Sequence, residues 1–423
     1  MSHEPRAFDA SVSQLTAQSS QLKIFIMLIK RKDFIQIGSL ATASLFLPKF
    51  LKAFESPYRV PPGNKVLVVL QLSGGNDGLN TVIPVRNDIY YKGRPKLGIQ
   101  KDQSVLLNDE VGLNPALAAF GDLFHEGNMA IMNSVGYPNP DRSHFRSMDI
   151  WHSASNSNEY VYSGWLGRYL DAQCSGCDKP TQALEVDDVL SLALKGDHIN
   201  GIAMKDPGRL YNTSHAAYFK DVLAQHSDHD APVDYLYKTM AETLSSADYI
   251  FEQSKLHPTS GQYPKSGLGQ SLKTIASLIF SDINTKVYYV SLGSFDTHVN
   301  QEAQQKRLFT EMNDAVKSFV ADLKSNNRFE DVMLMTFSEF GRRVNQNASG
   351  GTDHGTANNM FFVSGGLKEK GLLNPMADLN DLQDGDLKHK VDFKDVYATV
   401  LKNWLGADDA AILGKKYNHL SFI

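Results

Sequence analysis

The chain has 423 residues, of which 42% are hydrophobic and 21% charged, which is typical of a folded globular protein and excludes a disordered or fibrous one. This length is enough to bury a large core in one or two domains. The formal net charge is −5, and Lys and Arg are scattered along the sequence, so no nucleic-acid partner is expected, and an anionic substrate would need local positive charge such as a metal ion.

Residues 1–60 are predicted to be an N-terminal extension that contains an export signal. Lys30-Arg31-Lys32 precedes a moderately apolar stretch at residues 36–48, which is the order of a secretory signal. The basic cluster followed by Phe34-Ile35 resembles a twin-arginine signal, with Lys32 in place of the second arginine. We therefore expect the export machinery to recognise this chain, and we expect the protein to be located in the periplasm or cell envelope. The alternative is an uncleaved membrane anchor helped by residues 24–29.

Residues 61–423 are predicted to form one α/β domain. Five short apolar runs have the character of strands buried on both faces of a parallel sheet, namely Val66–Leu72, Met129–Val135, Val287–Leu292, Val332–Phe337 and Met360–Ser364. Helical patterns lie between them, as in Leu308–Leu323, and a closing helix is predicted at residues 392–405. This alternation predicts a doubly wound, mostly parallel sheet flanked by helices, which binds ligands at the carboxyl ends of its strands.

Two further segments are expected to decorate this domain. Residues from about 177 to 267 are polar and irregular apart from a helical pattern near Tyr235–Phe251, and they are expected to be an insertion that covers the site or lies on the surface. Cys174 and Cys177 are the two cysteines, and a single CxxC cannot complete a four-ligand zinc site. A short disulfide is expected there, and a redox role is the alternative.

Acidic and histidine residues accompany four of the predicted strands. Asp77 follows the first strand, Asp296 and His298 follow Val287–Leu292, Glu339 follows Val332–Phe337, and His354 precedes Met360–Ser364. Each residue alone is equally well explained as a turn former or a helix cap. Because the ends of parallel strands share one edge of a sheet, we expect the residues to converge there. Carboxylates and imidazoles together suit zinc, manganese or a similar cation, and two cations can hold both oxygens of an ester displacement.

Three further residues are candidates for catalysis: Ser143, His144 and Arg342. Ser143 stands where a loop turns into a predicted helix, and a hydroxyl at a helix N-terminus can act as a nucleophile because free N–H groups favour a developing anion. An ordinary N-cap is the alternative. Arg342 and the adjacent Arg343 can bind phosphate or sulfate through bidentate hydrogen bonds, and an ion pair with a carboxylate is the alternative.

Five motifs together resemble the bacterial exported family known as domain of unknown function 1501. They are Gln71-Leu72-Ser73-Gly74-Gly75-Asn76-Asp77-Gly78-Leu79-Asn80, Arg142-Ser143-His144-Phe145, Phe295-Asp296-Thr297-His298, Ser338-Glu339-Phe340-Gly341-Arg342-Arg343 and Gly351-Thr352-Asp353-His354-Gly355. The resemblance runs in order from about residue 65 to the carboxyl terminus. Members of that family are similar to the alkaline phosphatase and sulfatase superfamily, which implies an alkaline phosphatase-like fold and a metal-assisted hydrolase site.

The resemblance also implies roles for individual residues. The residues that match the superfamily's metal ligands are Asp77, Asp296, His298, Glu339 and His354, and Ser143 stands where the superfamily has its nucleophile. Two departures are visible. A single residue separates Asp296 from His298, where the superfamily usually has three. Glu339-Phe340 replaces an Asp-His pair, so one imidazole is lost, and the second cation is expected to be weakly bound, absent, or a harder ion such as calcium or magnesium.

Two functions follow from the sequence. The first is an exported metal-dependent hydrolase of phosphate or sulfate esters, acting on a small-molecule or polysaccharide substrate with Ser143 as the nucleophile. The second is a catalytically degenerate binding or scaffold protein of the cell envelope that keeps the same fold. The loss of the Asp-His pair at Glu339-Phe340 favours the second.

Overall fold

The computed structural model describes residues 65–173, 181–217 and 231–423, with the backbone alone for 231–240. The predicted export signal and both cysteines lie outside the described residues. The strands are β1 (Val66–Leu72), β2 (Val82–Pro84), β3 (Val105–Leu106), β4 (Val111–Leu113), β5 (Met129–Gly136), β6 (Ala183–Glu185), β7 (Ile202–Ala203), β8 (Val287–Leu292), β9 (Val332–Phe337), β10 (Arg342–Gln346), β11 (Thr352–His354), β12 (Asn358–Val363), β13 (Gly371–Leu372), β14 (Leu382–Gln383), β15 (Asp386–Leu387) and β16 (Val391–Asp392).

The α-helices in the described part of the chain are mostly placed between these strands. They are α1 (Asp88–Gly93), α2 (Ala118–His125), α3 (His144–Ser153), α4 (Trp165–Gln173), α5 (Pro207–Ser214), α6 (Ala231–Ser254), α7 (Gly267–Phe280), α8 (Gln301–Ser325), α9 (Phe393–Thr399) and α10 (Asp409–Leu413). A short π-helix, Val400–Trp404, continues α9. No helix among the described residues combines the length and the apolar character needed to cross a membrane.

The central sheet has nine strands, and all but one run in the same direction. Its order is β13-β5-β12-β9-β1-β8-β6-β7, and β16 also pairs with β5. The exception is β12, which is antiparallel to both β5 and β9. Leu72 pairs with Leu292 and Gln71 with Phe337, so β1, β8 and β9 end at the same level. The predicted mostly parallel α/β sheet is confirmed.

Helices cover both faces of this sheet and create two cores. On β1, Val66, Val68, Leu70 and Leu72 pack towards α2, α7 and α8, while Leu67 and Val69 pack towards α3, α4 and α9. Because successive side chains of a strand point to opposite faces, a strand covered on both sides must be apolar throughout. Stacked aromatic rings reinforce the second core, with the ring centroids of Trp165 and Tyr397 4.1 Å apart.

Two details of the topology differ from the sequence prediction. The run predicted as Met360–Ser364 is β12, which is reversed, so its beginning rather than its end lies beside the carboxyl ends of β5 and β9. Residues 177–267 contribute β6 and β7 to the sheet as well as helices α5 and α6. Part of this segment therefore belongs to the core of the fold and not to a surface insertion.

A buried ion pair holds the loop that follows β1. Arg94 and Asp77 both have fully buried side chains, and the Arg94 Nη2 donates to Asp77 Oδ1 at 2.9 Å. Arg94 also donates to the backbone oxygen atoms of Val344 and Arg343, both at 2.9 Å. Gln301, at the start of α8, donates its side-chain amide to Asp77 Oδ2. This pair therefore ties α1, β10 and α8 to the edge of the sheet.

Replacing Arg94 by Met should strongly destabilise the protein, because the Asp77 carboxylate would be left buried without its charged partner. We expect the free energy of unfolding in urea to fall by about 3–5 kcal/mol. The control is Lys101→Met, which removes the exposed ion pair with Asp109 and should cost less than about 1 kcal/mol. Equal effects of the two variants would contradict the structural role given to Arg94.

Candidate functional site

The candidate site lies where several loops meet at the carboxyl edge of the sheet. Two glycines permit the closest approaches between them. A Cβ on Gly351 would lie 2.3 Å from backbone atoms of Thr297 and His298. A Cβ on Gly74 would lie 2.5 Å from the backbone nitrogen of Asp296. Only glycine fits at these distances, so the glycines of two motifs allow the loop after β8 to pack between its neighbours.

Four side chains converge in this space. Asp296 Oδ1 lies 3.1 Å from His298 Nε2 and 3.3 Å from His354 Nε2, and these two nitrogen atoms are 2.9 Å apart. His144 Nε2 lies 3.5 Å from Asp296 Oδ2. Ligand atoms around a tetrahedral zinc ion lie about 3.3 Å apart, given bonds of about 2.0–2.1 Å. The ligand atoms of His144, Asp296 and His354 all lie within 4.8 Å of one another, so these three groups can share one cation, and His298 borders them through its contacts with Asp296 and His354. The four side chains are 22–48% exposed.

The hydrogen bonds of the imidazole rings fix which nitrogen carries the proton in each neutral histidine. Nδ1 of His144 faces Glu339 Oε1 at 2.9 Å, Nδ1 of His354 faces the backbone oxygen of Arg142 at 2.8 Å, and Nδ1 of His298 faces Asp353 Oδ1 at 3.3 Å. Carboxylates and carbonyls only accept hydrogen bonds, so a neutral ring that donates from Nδ1 to the acceptor behind it has its Nε2 free to bind a cation. All three Nε2 atoms face Asp296, which is the side on which a cation would bind.

One nitrogen of this group is a buried polar atom without a partner. The buried Nε2 of His144 has no hydrogen-bond partner among the described residues, although buried polar atoms in folded proteins are nearly always satisfied. A divalent cation bound to this Nε2 and to Asp296 would satisfy it, so the residues present fit a metal ion.

The surrounding charges keep Asp296 ionised. Partial burial opposes its ionisation, but the hydrogen bond and charge of Arg342, with smaller contributions from His354 and His298, outweigh it and lower the pKa of Asp296 to about 2. The hydrogen bond to Glu339 raises the pKa of His144, while burial lowers the pKa of His354. The site therefore holds a permanent carboxylate beside imidazoles that can supply neutral nitrogen ligands.

The structure does not bring two of the five predicted metal ligands into this group. Both carboxylate oxygen atoms of Asp77 accept hydrogen bonds from Arg94, and its side chain is fully buried. Glu339 Oε1 accepts hydrogen bonds from the backbone nitrogen of Gly74 and from His144, both at 2.9 Å. Asp77 therefore supports the loops, and Glu339 fixes the orientation of the His144 ring.

Arg342 is also not placed to bind a substrate phosphate or sulfate, contrary to the sequence prediction. Its side chain is fully buried, and it donates to the backbone oxygen atoms of Gly75 at 2.6 Å, Thr352 at 2.9 Å and Phe295 at 3.0 Å, as well as to Asp296 Oδ1 at 2.8 Å. A guanidinium engaged in this way is not available to a substrate phosphate. The alternative weighed for Arg342, an ion pair with a carboxylate, is the one that the structure contains.

Ser143 is the exposed residue directly before α3. It stands at the N-cap position, but its side chain makes no capping hydrogen bond. Its backbone nitrogen instead donates to Asp141 Oδ1 at 2.6 Å. A helix cap is the simplest structural explanation for a serine at this position, but the Ser143 hydroxyl group does not act as one. Ser143 directly precedes His144.

The sequence predicted His144 as a catalytic residue and not as a candidate metal ligand. His144 lies in α3, more than 150 residues before Asp296, and the strand order β5-β12-β9-β1-β8 brings the two to the same edge of the sheet. The centroid of the Phe340 ring lies 4.9 Å from that of the His144 ring and 4.6 Å from that of the His354 ring. The signal that could have found His144 is its place after Ser143 in a loop at the same sheet edge.

Several solved structures are similar to this chain at low sequence identity. They include the lipoteichoic acid synthase LtaP from Listeria monocytogenes (10% identity, 73% of this chain and 68% of that chain covered, TM-score 0.34), the PsFucS1 sulfatase from Pseudoalteromonas sp. (11%, 88% and 73%, TM-score 0.39) and a protein in the alkaline phosphatase superfamily from Vibrio parahaemolyticus (10%, 85% and 70%, TM-score 0.35). A likeness at this level transfers no activity to this chain. None of the curated proteins matches it.

The sequence itself gives a clear family match. Residues 129–418, more than two thirds of the chain, match the family described as "Protein of unknown function (DUF1501)". This range includes His144, Asp296, His298 and His354, whereas Asp77 lies before it. The chain belongs to the DUF1501 family.

Proposed function

We propose that this protein is an exported, metal-dependent hydrolase of phosphate or sulfate esters. The cation is held by Asp296, His298 and His354, with His144 as a fourth ligand. Zinc or manganese suits this set of one carboxylate and three imidazoles. Export is proposed from the basic and apolar pattern of residues 30–48.

One observation carries the proposal: His144, Asp296 and His354 offer ligand atoms that all lie within 4.8 Å of one another, and His298 Nε2 lies 3.1 Å from Asp296 Oδ1. The Nδ1 atom of each histidine faces an acceptor behind its ring, namely Glu339, the Arg142 carbonyl or Asp353. Hydrogen-bond acceptors in this position are typical of metal-bound histidines. We propose a single cation, because the oxygen atoms of Asp77 are bonded to Arg94.

The bound cation would supply a Lewis acid for the ester oxygen atoms. The protein's own groups provide the rest of the proposed chemistry. Ser143 is the proposed nucleophile. Its Oγ loses its proton to water and forms a bond to phosphorus or sulfur while the bond to the ester oxygen breaks, and that oxygen takes up a proton from water and leaves as the alcohol. A water molecule later breaks the bond between Oγ and phosphorus or sulfur, which releases the phosphate or sulfate and returns a proton to Oγ. The N-terminus of α3 favours the negative charge of the attacked group. Arg342 is a positioning residue, because it acts through Asp296 and the loops.

A second candidate function is a binding or scaffold protein of the cell envelope that holds a metal without catalysis. The observation that favours it is that four side chains are candidate ligands for one cation, since closed four-ligand sites are structural, whereas catalytic zinc sites keep one position open. His144 decides between the two functions. Its Nε2 contacts Asp296 Oδ2 at 3.5 Å, which is longer than the 3.1 and 3.3 Å contacts of Asp296 with His298 and His354, so we propose that His144 is the weakest ligand and that the substrate can take its position.

Metal analysis tests the site directly. The purified full-length protein should contain about one zinc or manganese ion per chain, and chelation should abolish turnover of 4-nitrophenyl phosphate and 4-nitrophenyl sulfate. His298→Ala should lower the metal content substantially, because it removes one of three close ligands. The control is His125→Ala, whose ring contacts the Leu106 backbone outside the site and should leave the metal content unchanged. Equal metal content in all three proteins would refute the site.

Glu339→Gln tests the role of the carboxylate behind His144. The amide keeps the size of the side chain but removes the charge that makes the imidazole a better ligand. We expect metal affinity, measured by competition with a chromophoric chelator, to fall about 10–100-fold. The control Glu126→Gln removes an exposed carboxylate paired with Lys324 and should leave the affinity unchanged. If the metal content of Glu339→Gln were normal and its affinity unaltered, Glu339 would have no such role.

Ser143→Ala tests the nucleophile. If Ser143 attacks the ester, turnover of the two 4-nitrophenyl esters should fall by roughly two orders of magnitude or more, while the metal content stays normal. Ser157→Ala, which changes a half-buried serine of a neighbouring loop, is the matched control. Full activity in Ser143→Ala would exclude the proposed nucleophile. A wild-type protein that binds metal but turns over no ester would favour the binding or scaffold function.

A further inference from the structure

A separate cavity lies directly beside the metal-binding group. It has a volume of about 230 Å³ and is lined by the loop that precedes Ser143, by Phe340, by the two residues after Gly355, and by Gln383, Asp384 and Leu387–His389. Phe340 joins the two features, because it lines the cavity and its ring also packs against His144 and His354. A molecule in the cavity would therefore contact Phe340 and Arg142, which are neighbours of the proposed metal site and of the proposed nucleophile.

The outer wall of the cavity is a tight β-hairpin formed by β14 and β15. Asp384 and Gly385 form its two-residue turn, with φ angles of 55° and 86°. Positive φ at both positions is the signature of the hairpin turn that Asp-Gly favours. The hairpin is fixed to the site, because Thr356 Oγ1 donates to the Leu387 backbone oxygen at 2.5 Å and the buried Asp386 pairs with Arg142. The wall is therefore preformed.

The cavity is lined by equal numbers of positively and negatively charged side chains. Its cations are Arg142 and Lys388, and its anions are Asp141 and Asp384. Both cations already have carboxylate partners, Asp386 for Arg142 and Asp381 for Lys388. A second anion therefore gains little attraction here, and this argues against a phosphate or sulfate subsite in the cavity itself.

The remaining lining groups suit an uncharged, hydroxylated molecule. Asn139 and Gln383 carry side-chain amides that can both donate and accept hydrogen bonds, and His389 can do the same, since burial lowers its pKa and keeps it neutral at pH 7. Tyr137 and Phe340 provide aromatic surface. Polar groups placed around an apolar floor are the usual design of a small-molecule site.

We propose that this cavity binds one uncharged sugar ring, the part of the substrate to which the phosphate or sulfate is esterified. The volume supports a single ring: it corresponds to roughly eight water molecules at about 30 Å³ each, below the 300–1,000 Å³ of pockets for drug-sized ligands. That the sugar ring is part of an ester substrate rests on the proposed function. That the cavity binds a sugar ring does not. The cavity contains none of the proposed metal ligands, so the ring binds with or without the cation.

Saturation-transfer NMR with methyl glycosides tests the cavity without requiring catalysis. The probes are the methyl glycosides of glucose, galactose, mannose and N-acetylglucosamine, added to the full-length protein as purified and again after chelation. At least one should bind in both conditions. Gln383 is an exposed strand residue, and an indole is tolerated at such a position. In Gln383→Trp the indole should block the cavity mouth and reduce glycoside binding at least about tenfold. The control Leu106→Trp changes an exposed strand residue of another sheet and should bind as the wild type does.

The outcomes separate this inference from the proposed function. Absence of binding by all four glycosides, or equal binding in Gln383→Trp and the wild type, would overturn the sugar-binding cavity even if metal and esterase activity were present. Inorganic phosphate that binds the chelated protein and is lost in Gln383→Trp would show an anion subsite and would also overturn it. Glycoside binding that follows the expected pattern in a protein without metal or turnover would support the cavity and refute only the hydrolase.

Discussion

The guanidinium of Arg342 is the contact on which the site depends, because it joins loops from three distant parts of the chain. It donates to backbone oxygen atoms after β1, after β8 and in β11, and to the carboxylate of Asp296. Backbone carbonyls in such loops would otherwise be buried without partners, at a cost of about 1–3 kcal/mol each. A single side chain therefore closes the sheet edge and also keeps the central carboxylate ionised.

Arg94 and Arg342 are buried arginines that organise this edge. Arg94 binds Asp77 and the backbone of β10, whereas Arg342 binds Asp296 and the backbone of the surrounding loops. Each arginine is matched to one carboxylate, which limits the cost of burying its charge. The histidines are the groups to which the proposed metal site assigns its nitrogen ligands.

The sequence predicted the fold well because its signals are local. Val66–Leu72, Val287–Leu292 and Val332–Phe337 are strands with the predicted bounds, since strands covered on both faces must be continuously apolar. The reversed direction of β12 could not be predicted, because strand direction depends on pairing across the sheet and leaves no mark in a short apolar run. Its reversal is what places His354, which precedes the strand, at the same edge as the loops that follow the others.

The sequence predicted that some residues lie together at the site, but not the roles of the others. The sequence placed Asp296, His298 and His354 near one another because each lies beside a sheet strand, and the structure brings them together. It could not assign the roles of Asp77 and Glu339, because a carboxylate that binds a cation and one that binds an arginine or a histidine have the same sequence signature. The partners that decide the matter are Arg94, which lies in a segment with no recognisable pattern, and His144, whose motif Arg142-Ser143-His144-Phe145 does not show that its ring faces Glu339.

The pairing of β1 has a consequence for how the chain folds during synthesis. The first strand of the sheet is also a central one, and both of its neighbours, β8 and β9, are made more than 200 residues later. Until the last third of the polypeptide has left the ribosome, β1 has no native partner on either side, and its apolar residues stay exposed to aggregation. We therefore expect this protein to acquire its sheet only after translation is nearly complete and to need protection by chaperones until then.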